Sequence, residues 1–378
     1  MRIGFDLRPF LKEETGVGTY YRNLLFHLAQ IDKGNEYFLF SSSLKDRFPA
    51  EKIPAFAKMK FRHFPFPVKA TNFFWYRLGW PPLDYLFKQQ LDLSHSPNPL
   101  ILPTKGKKVI TVHDLFFMDF PQKAEREVKK IFVHKIRDSL QRADGVIAVS
   151  QFTKDDIRDK FGLESEKVRV IYHGMDQKFQ EEIDAQELER TRQKFSLPPS
   201  FILFVGTLEP RKNLLYLVDA LKMIHEDYQK ILLLIIGREG QDSRNLRGRI
   251  KQKKLESWVK FTGYLPEKDL KSIYRLASAF VFPSFCEGFG LPLLEAMASG
   301  LPIAASRAPA IPEIAQEAAL YFRPEDPEDM AEKIIRLLVD ETLRQSLRSE
   351  GKKRILDFDW KKAAAETLHF YQELVGKE

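Results

Sequence analysis

Short aliphatic and β-branched runs recur along this chain, and longer polar segments with helical spacing separate them. Strands are predicted at Ile3–Leu7, Tyr37–Phe40, Val109–Val112, Val146–Val149 and Val168–Ile171 in the first half. In the second half they are predicted at Phe201–Val205, Ile231–Ile236, Val259–Thr262, Phe280–Phe282 and Ile303–Ala305. Helices are predicted between many of them, among them Tyr20–Leu28, Leu214–His225 and Leu270–Ala277. Such alternation implies an α/β fold, with parallel sheets covered by helices on both faces. A chain of 378 residues suits two such sheets better than one. The break is expected after Asp176, because Gln177–Phe195 is charged and Leu197-Pro198-Pro199-Ser200 punctuates the chain before a fresh strand. This gives one domain over residues 1–176 and another over 195–357. The tail from Trp360 to Leu374 places Trp360, Ala363, Ala364, Leu368 and Tyr371 on one face of a helix.

Composition narrows the function classes. Hydrophobic residues at 44% and charged residues at 30% describe a globular protein. A single cysteine excludes an internal disulfide framework. Met1–Asp6 reads as a strand and not as a secretory leader, and the aliphatic run Ile231–Ile236 is too short to span a bilayer. A cytoplasmic protein is therefore expected. The net charge of +8 favours anionic partners such as nucleotide diphosphates, a phospholipid surface or nucleic acid. No nucleic-acid-binding module is present, so nucleic acid is not expected as a partner. The segment Phe56–Lys88 mixes aromatics with Lys58, Lys60, Arg62, Lys69, Arg77 and Lys88. Two readings of it stand: core packing under a long loop, or peripheral contact with the inner face of an anionic membrane or a lipid-linked acceptor.

The stretch from Phe282 to Gly300 carries the most chemistry. Glu287 and Glu295 have seven residues between them. Pro292 suits a first helical turn and Gly300 a helix stop. Glu287 is thus expected in the loop before a helix and Glu295 about one turn inside it. The unpaired N–H groups of that turn, entered through Phe289-Gly290-Leu291, suit phosphate. Gly288 and Gly290 present no side chain to a ligand. Arg211 and Lys212 follow the strand Phe201–Val205 and can neutralise a diphosphate as charge builds on a leaving group. Gly16-Val17-Gly18 is expected in a loop before its helix, with N–H groups facing a diphosphate. The third glycine of a dinucleotide fingerprint is missing, which argues against a nicotinamide cofactor. His113-Asp114 ends the strand Val109–Val112. No histidine pair has metal-ligand spacing, so no metal is expected. Cys286 has no histidine base nearby in sequence.

Taken in order, Gly16–Tyr20, Val112–Asp114, Val146–Ser150, Tyr172–Asp176, Gly206–Asn213 and the Glu287/Glu295 stretch resemble retaining glycosyltransferases of family 4. The resemblance covers nearly the whole chain. It implies a GT-B architecture, two Rossmann-like domains facing across a cleft, with helix 358–378 packing back on the N-terminal, acceptor-binding domain. It implies a catalytic set of His113, Glu287, Arg211 and Lys212. Glu287 would contact the donor sugar, with His113 beside it, and Glu295 would contact the ribose. Gly16, Gly18, Phe289, Gly290 and Leu291 would touch the diphosphate, and Tyr264 and Leu265 would border the base. A nucleotide sugar would serve as co-substrate, with no other cofactor. Ser94–Pro97 and Thr111–Leu115 look most like bacterial mannosyltransferases of polysaccharide or lipopolysaccharide assembly, which suggests GDP-mannose as donor and a glycan or lipid-linked acceptor. UDP-glucose and UDP-N-acetylglucosamine stay open as donors, as do a nucleotide-sugar epimerase and a non-catalytic binding protein of the same fold. The chain departs from the family pattern at His173, where asparagine is usual.

Overall fold

The computed structural model describes residues 1–8, 16–45, 59–120 and 133–376. Among the described residues the chain divides into two compact units. The first takes residues up to 174 together with 359–376, and the second takes 175–358. The boundary after Gly174 lies two residues before the expected break. Segment 175–194 goes with the second unit, where its helix Ala185–Lys194 is tied to the helix Glu267–Leu276 by Lys194–Asp269 at 2.7 Å.

The first unit holds a seven-stranded parallel sheet. Its strands are β1 (Arg2–Asp6), β2 (Glu36–Ser42), β3 (Met59–Phe64), β4 (Leu93–Ser96), β5 (Lys107–Val112), β6 (Gly145–Ala148) and β7 (Val168–Val170). Their spatial order is β3-β2-β1-β4-β5-β6-β7. The second unit holds a six-stranded parallel sheet of β8 (Phe201–Val205), β9 (Leu232–Ile236), β10 (Val259–Gly263), β11 (Ala279–Phe282), β12 (Ile303–Ser306) and β13 (Ala319–Phe322). Here the order is β10-β9-β8-β11-β12-β13. Central strands such as β8 and β9 are apolar throughout because helices cover both faces. Strand order reverses between β1 and β4 in one sheet and between β8 and β11 in the other. Open α/β sheets bind ligands outside the carboxyl ends of the strands at such switch points.

Three strands were not expected from the sequence. β3 is an edge strand whose exposed positions carry Lys60 and Arg62. β4, Leu-Ser-His-Ser, is polar yet fully buried, with Ser94 and His95 given partners inside the unit. β13 is only four residues long.

The helix Trp360–Gly376 belongs to the first unit. Tyr371 meets His95 Nδ1 at 2.5 Å, and Glu373 accepts from Arg169 at 2.6 Å. Gly174 admits the start of this helix. A Cβ on Gly174 would lie 2.1 Å from the Trp360 backbone nitrogen, and backbone cannot swing aside as a side chain would. Gly174→Ala is expected to lower stability by about 3 kcal/mol, read from urea unfolding at an unchanged m-value. A wild-type midpoint would show that the helix does not depend on this close approach. No helix among the described residues is long and apolar enough to cross a membrane.

Candidate active site

In the second unit, topology brings together residues far apart in sequence. β8 and β11 are neighbours, so the loops leaving their carboxyl ends meet. The Phe285 N–H donates to the Arg211 carbonyl at 2.8 Å, and Asn213 Nδ2 donates to the Pro283 carbonyl at 3.0 Å. These bonds bring Arg211 and Lys212 onto Glu287. Arg211 Nη1 lies 2.9 Å from Glu287 Oε2, and Lys212 Nζ lies 2.5 Å from Glu287 Oε1. Glu209 takes the Arg211 Nε–H at 2.8 Å and fixes the other edge of the guanidinium. Lys212 and Glu287 are both buried.

The electrostatics follow from that burial. Desolvation pushes the Glu287 carboxyl up, but Lys212 and Arg211 outweigh it and hold it at about 2. Burial and the adjacent Arg211 draw the Lys212 ammonium down, against the pull of Glu287. Lys212 is therefore a desolvated cation beside a second cation, with a single shared carboxylate between them. An incoming diphosphate would find two preorganised positive groups at this switch point.

Gly290 stands just before the helix Leu291–Ala298 with φ +95°, a backbone conformation that glycine adopts without strain. Pro292 falls in the first turn, as expected. At the far end the Gly300 N–H bonds to the Met297 carbonyl and the Leu301 N–H to the Ala296 carbonyl, with Gly300 at φ +67°. Glu295 lies one turn in and is half-buried. The Tyr274 hydroxyl donates to Glu295 Oε2 at 2.8 Å. Burial raises the Glu295 carboxyl to about 7. The Tyr274 bond works against that rise, while Asp176 and Glu267 add to it. Tyr274 was not singled out from the sequence. It lies 21 residues from its partner, and only the packing of the helix Glu267–Leu276 brings the two together.

The other expected contacts of this unit vary in what they offer. Phe289 is buried edge-on against Phe358 with ring centroids 5.6 Å apart, so its backbone is what it can offer a ligand. Leu291 is half-buried at the helix start. Gly263 ends β10, and Tyr264 and Leu265 follow it. Tyr264 is exposed beside the Arg238 guanidinium, 5.6 Å from its ring, and Leu265 is buried. Cys286 is buried.

In the first unit the expected loop Gly16-Val17-Gly18 is instead the first turn of the helix Gly16–Ile31. Tyr20 and Tyr21, buried in the same helix, fill the space above the sheet and let the helix start four residues earlier than predicted. Gly16 is exposed and Gly18 is buried. His113 follows β5, and its Nε2 lies 3.1 Å from the Pro97 carbonyl at the end of neighbouring β4. A carbonyl only accepts, so Nε2 carries the proton. Burial lowers the imidazole to about 4, so the ring is neutral at pH 7 and Nδ1 is left as an acceptor. Tyr20 packs edge-on to His113 at 5.0 Å and stacks on His173 at 4.7 Å. His173 in turn stacks on Trp360. The departure at His173 thus packs an aromatic wall behind His113. Asp114 Oδ1 accepts the Phe116 N–H at 3.3 Å. Among the described residues no group of His, Cys, Asp and Glu could hold a metal ion.

Two doubly wound parallel sheets, the second with charged groups gathered at its switch point, define an α/β protein of paired Rossmann-like units. Residues 15–179 match the family described as Glycosyltransferase Family 4, and residues 185–354 match Glycosyl transferases group 1. The O-antigen chain mannosyltransferase B of Escherichia coli is 27% identical over 386 residues, covering 99% of this chain and 100% of that one. The O-antigen chain mannosyltransferase RfbU of Salmonella typhimurium is 31% identical over 225 residues, covering 60% of this chain and 59% of that one. Among solved structures, a sucrose-phosphate synthase from Thermosynechococcus elongatus superposes with a TM-score of 0.80 at 21% identity over 100% of both chains. WaaG, a glycosyltransferase of lipopolysaccharide biosynthesis, superposes with a TM-score of 0.76 at 16% identity over 99% of this chain and 100% of that one. The chain belongs to this family of GT-B glycosyltransferases.

Proposed function

We propose that this glycosyltransferase moves mannose from GDP-mannose to a hydroxyl of a glycan or lipid-linked acceptor, with retention at the anomeric carbon and without a metal ion. The observation that carries the reading is the Arg211–Glu287–Lys212 cluster at the β8/β11 switch point. In this reading the donor diphosphate meets Arg211 and Lys212, and its phosphates also face the first turn of the helix Leu291–Ala298. Glu287 accepts from sugar hydroxyls, Glu295 accepts from the ribose, and His113 Nδ1 accepts from the donor sugar. Gly16 and Gly18 add N–H groups, and the Tyr264–Leu265 loop borders the base. The C1–O bond to phosphate breaks with its electron pair passing to the phosphate oxygen. The acceptor oxygen bonds to C1 on the same face, and its proton goes to that departing oxygen. The cations stabilise the charge as it develops, so no protein base is needed on the acceptor side. The mannosyl preference is supported by the O-antigen mannosyltransferases among the relatives. The reading includes a peripheral position on an anionic membrane surface, supported by the exposed aromatics and cations within residues 66–88.

Thermal unfolding with a panel of sugar nucleotides tests the donor. GDP-mannose at 100 times its dissociation constant adds about 2.7 kcal/mol of stability. Stabilisation by UDP-sugars and not by GDP-mannose would overturn the donor assignment. Transfer to a hydroxyl acceptor in EDTA, with product stereochemistry read by NMR, tests the remainder. An inverted anomer, or conversion of the sugar nucleotide without release of nucleotide, would contradict it.

A further inference from the structure

The first unit contains a second polar site, remote from the strand ends that carry His113. A cavity of about 100 Å³ opens beside the π-helical turn Phe74–Leu78. Trp75, Gly79, Lys108, Lys135, Ser139 and Arg142 line it. The one acidic side chain on its wall, Asp138, is held by Arg142 at 3.1 Å. Lys108 Nζ donates to the Gly106 carbonyl at 3.2 Å, so that contact leaves its charge uncompensated. Three cations against one carboxylate make this cavity attractive to an anion. Lys108 sits near the start of β5 and His113 just past its end. Five residues of extended strand separate them by roughly 17 Å. The cavity is therefore not part of the donor or acceptor chemistry.

Its rim is unusual for a protein surface. Gly79 lies between Leu78 and Trp80, which are 60% and 57% exposed. Phe66, Phe73 and Tyr85 are 44%, 56% and 54% exposed in the same stretch of chain. Lys105 Nζ lies 4.7 Å from the Tyr85 ring, and Lys69, Arg77 and Lys88 are exposed among the aromatics. The only acid between residues 59 and 88 is Asp84. It is buried and accepts from the Leu91 and Lys105 N–H groups and the Thr104 hydroxyl. The surface of this segment is thus aromatic and purely cationic. Tryptophan and tyrosine favour the headgroup level of a bilayer, and each basic residue near an anionic leaflet adds about 1 kcal/mol of attraction.

We propose that this cavity binds the phosphate of an anionic phospholipid while Trp80 sits at the headgroup level and Leu78 and Phe73 reach the lipid chains beside it. The proposal rests on the peripheral membrane reading and makes it specific to one phosphate. The full chain is tested by flotation with phosphatidylglycerol and with phosphatidylcholine vesicles. A water-soluble, short-chain phosphatidylglycerol and inorganic phosphate are titrated in parallel, below the micelle concentration of the lipid. The expected result is binding to phosphatidylglycerol vesicles and to the short-chain lipid. Both should be at least tenfold weaker in Lys108→Gln/Lys135→Gln. Leu78→Ser/Trp80→Ser should lose vesicle binding and keep binding of inorganic phosphate. Unchanged GDP stabilisation in each variant shows that it is folded. If vesicles bind and the lysine variant binds them as well as wild type does, membrane contact stands and the phosphate site falls. If wild type binds neither vesicle, both readings fall. Binding of inorganic phosphate alone, with no affinity for the short-chain lipid, also overturns the lipid assignment.

Discussion

Glu287→Gln is expected to lower the stability of the protein by about 3–5 kcal/mol, because it leaves the buried Lys212 beside the half-buried Arg211 without the carboxylate they share. In the native protein Lys212 and Arg211 both pair with Glu287, at 2.5 and 2.9 Å. The pH dependence has a definite sign. The Glu287 carboxyl sits at about 2 when folded, below the 4.5 of an unperturbed glutamate. Its stabilising contribution is complete above pH 4.5 and is lost as the pH falls towards 2. The gap in stability between wild type and Glu287→Gln should therefore narrow on acidification. The variant also separates the two roles of the cations. If Arg211 and Lys212 receive the donor diphosphate, GDP replaces the missing negative charge and stabilises Glu287→Gln by more than it stabilises wild type. Transfer should still fall on the order of 100-fold, because the sugar loses a charged acceptor. Equal stabilisation of both proteins by GDP would show that the diphosphate does not sit on these cations.

The second large effect is on donor affinity and pH. Burial holds the Glu295 carboxyl at about 7. An ionised carboxylate accepts hydroxyl hydrogen bonds better than a neutral carboxyl does. The KM for the sugar nucleotide should therefore rise about tenfold between pH 8 and pH 6, with kcat changing little. Tyr274→Phe removes a hydrogen bond that favours the ionised form. The midpoint of the KM profile should move to higher pH, at unchanged kcat. A purely structural role for Tyr274 would shift the melting temperature and leave the profile in place. A KM independent of pH across this range would remove Glu295 from the donor site.

Most of the fold could be read from the chain. Among the aliphatic runs that became β1, β2 and β5 to β12, central strands such as β8, β9 and β11 are buried on both sides of a sheet and are apolar along their length, whereas β7 and β10 at the sheet edges are partly exposed and admit Arg169 and Lys260. The strands that escaped notice break that pattern. β3 is half solvated, and β4 hides Ser94 and His95 behind hydrogen bonds to Leu102 and Thr111 that no local pattern announces. Glycines favour loops, yet the helix begins at Gly16, and Tyr20 and Tyr21 are buried just after that first turn.

The site divides along the same line. Spacing and residue type, read together with the family resemblance, marked Glu287, Glu295, Arg211, Lys212 and His113, because helix entry and strand ends have local signatures. Only the tertiary structure decided who meets whom. Strand order places β8 beside β11 and so pairs Lys212 with a carboxylate 75 residues away. Helix packing gives Glu295 its tyrosine, and the Pro97 carbonyl gives His113 its tautomer. Local chemistry is written in neighbouring residues, whereas charge state and partnership depend on burial and proximity. Those exist only once a parallel sheet has brought distant loops to a common edge.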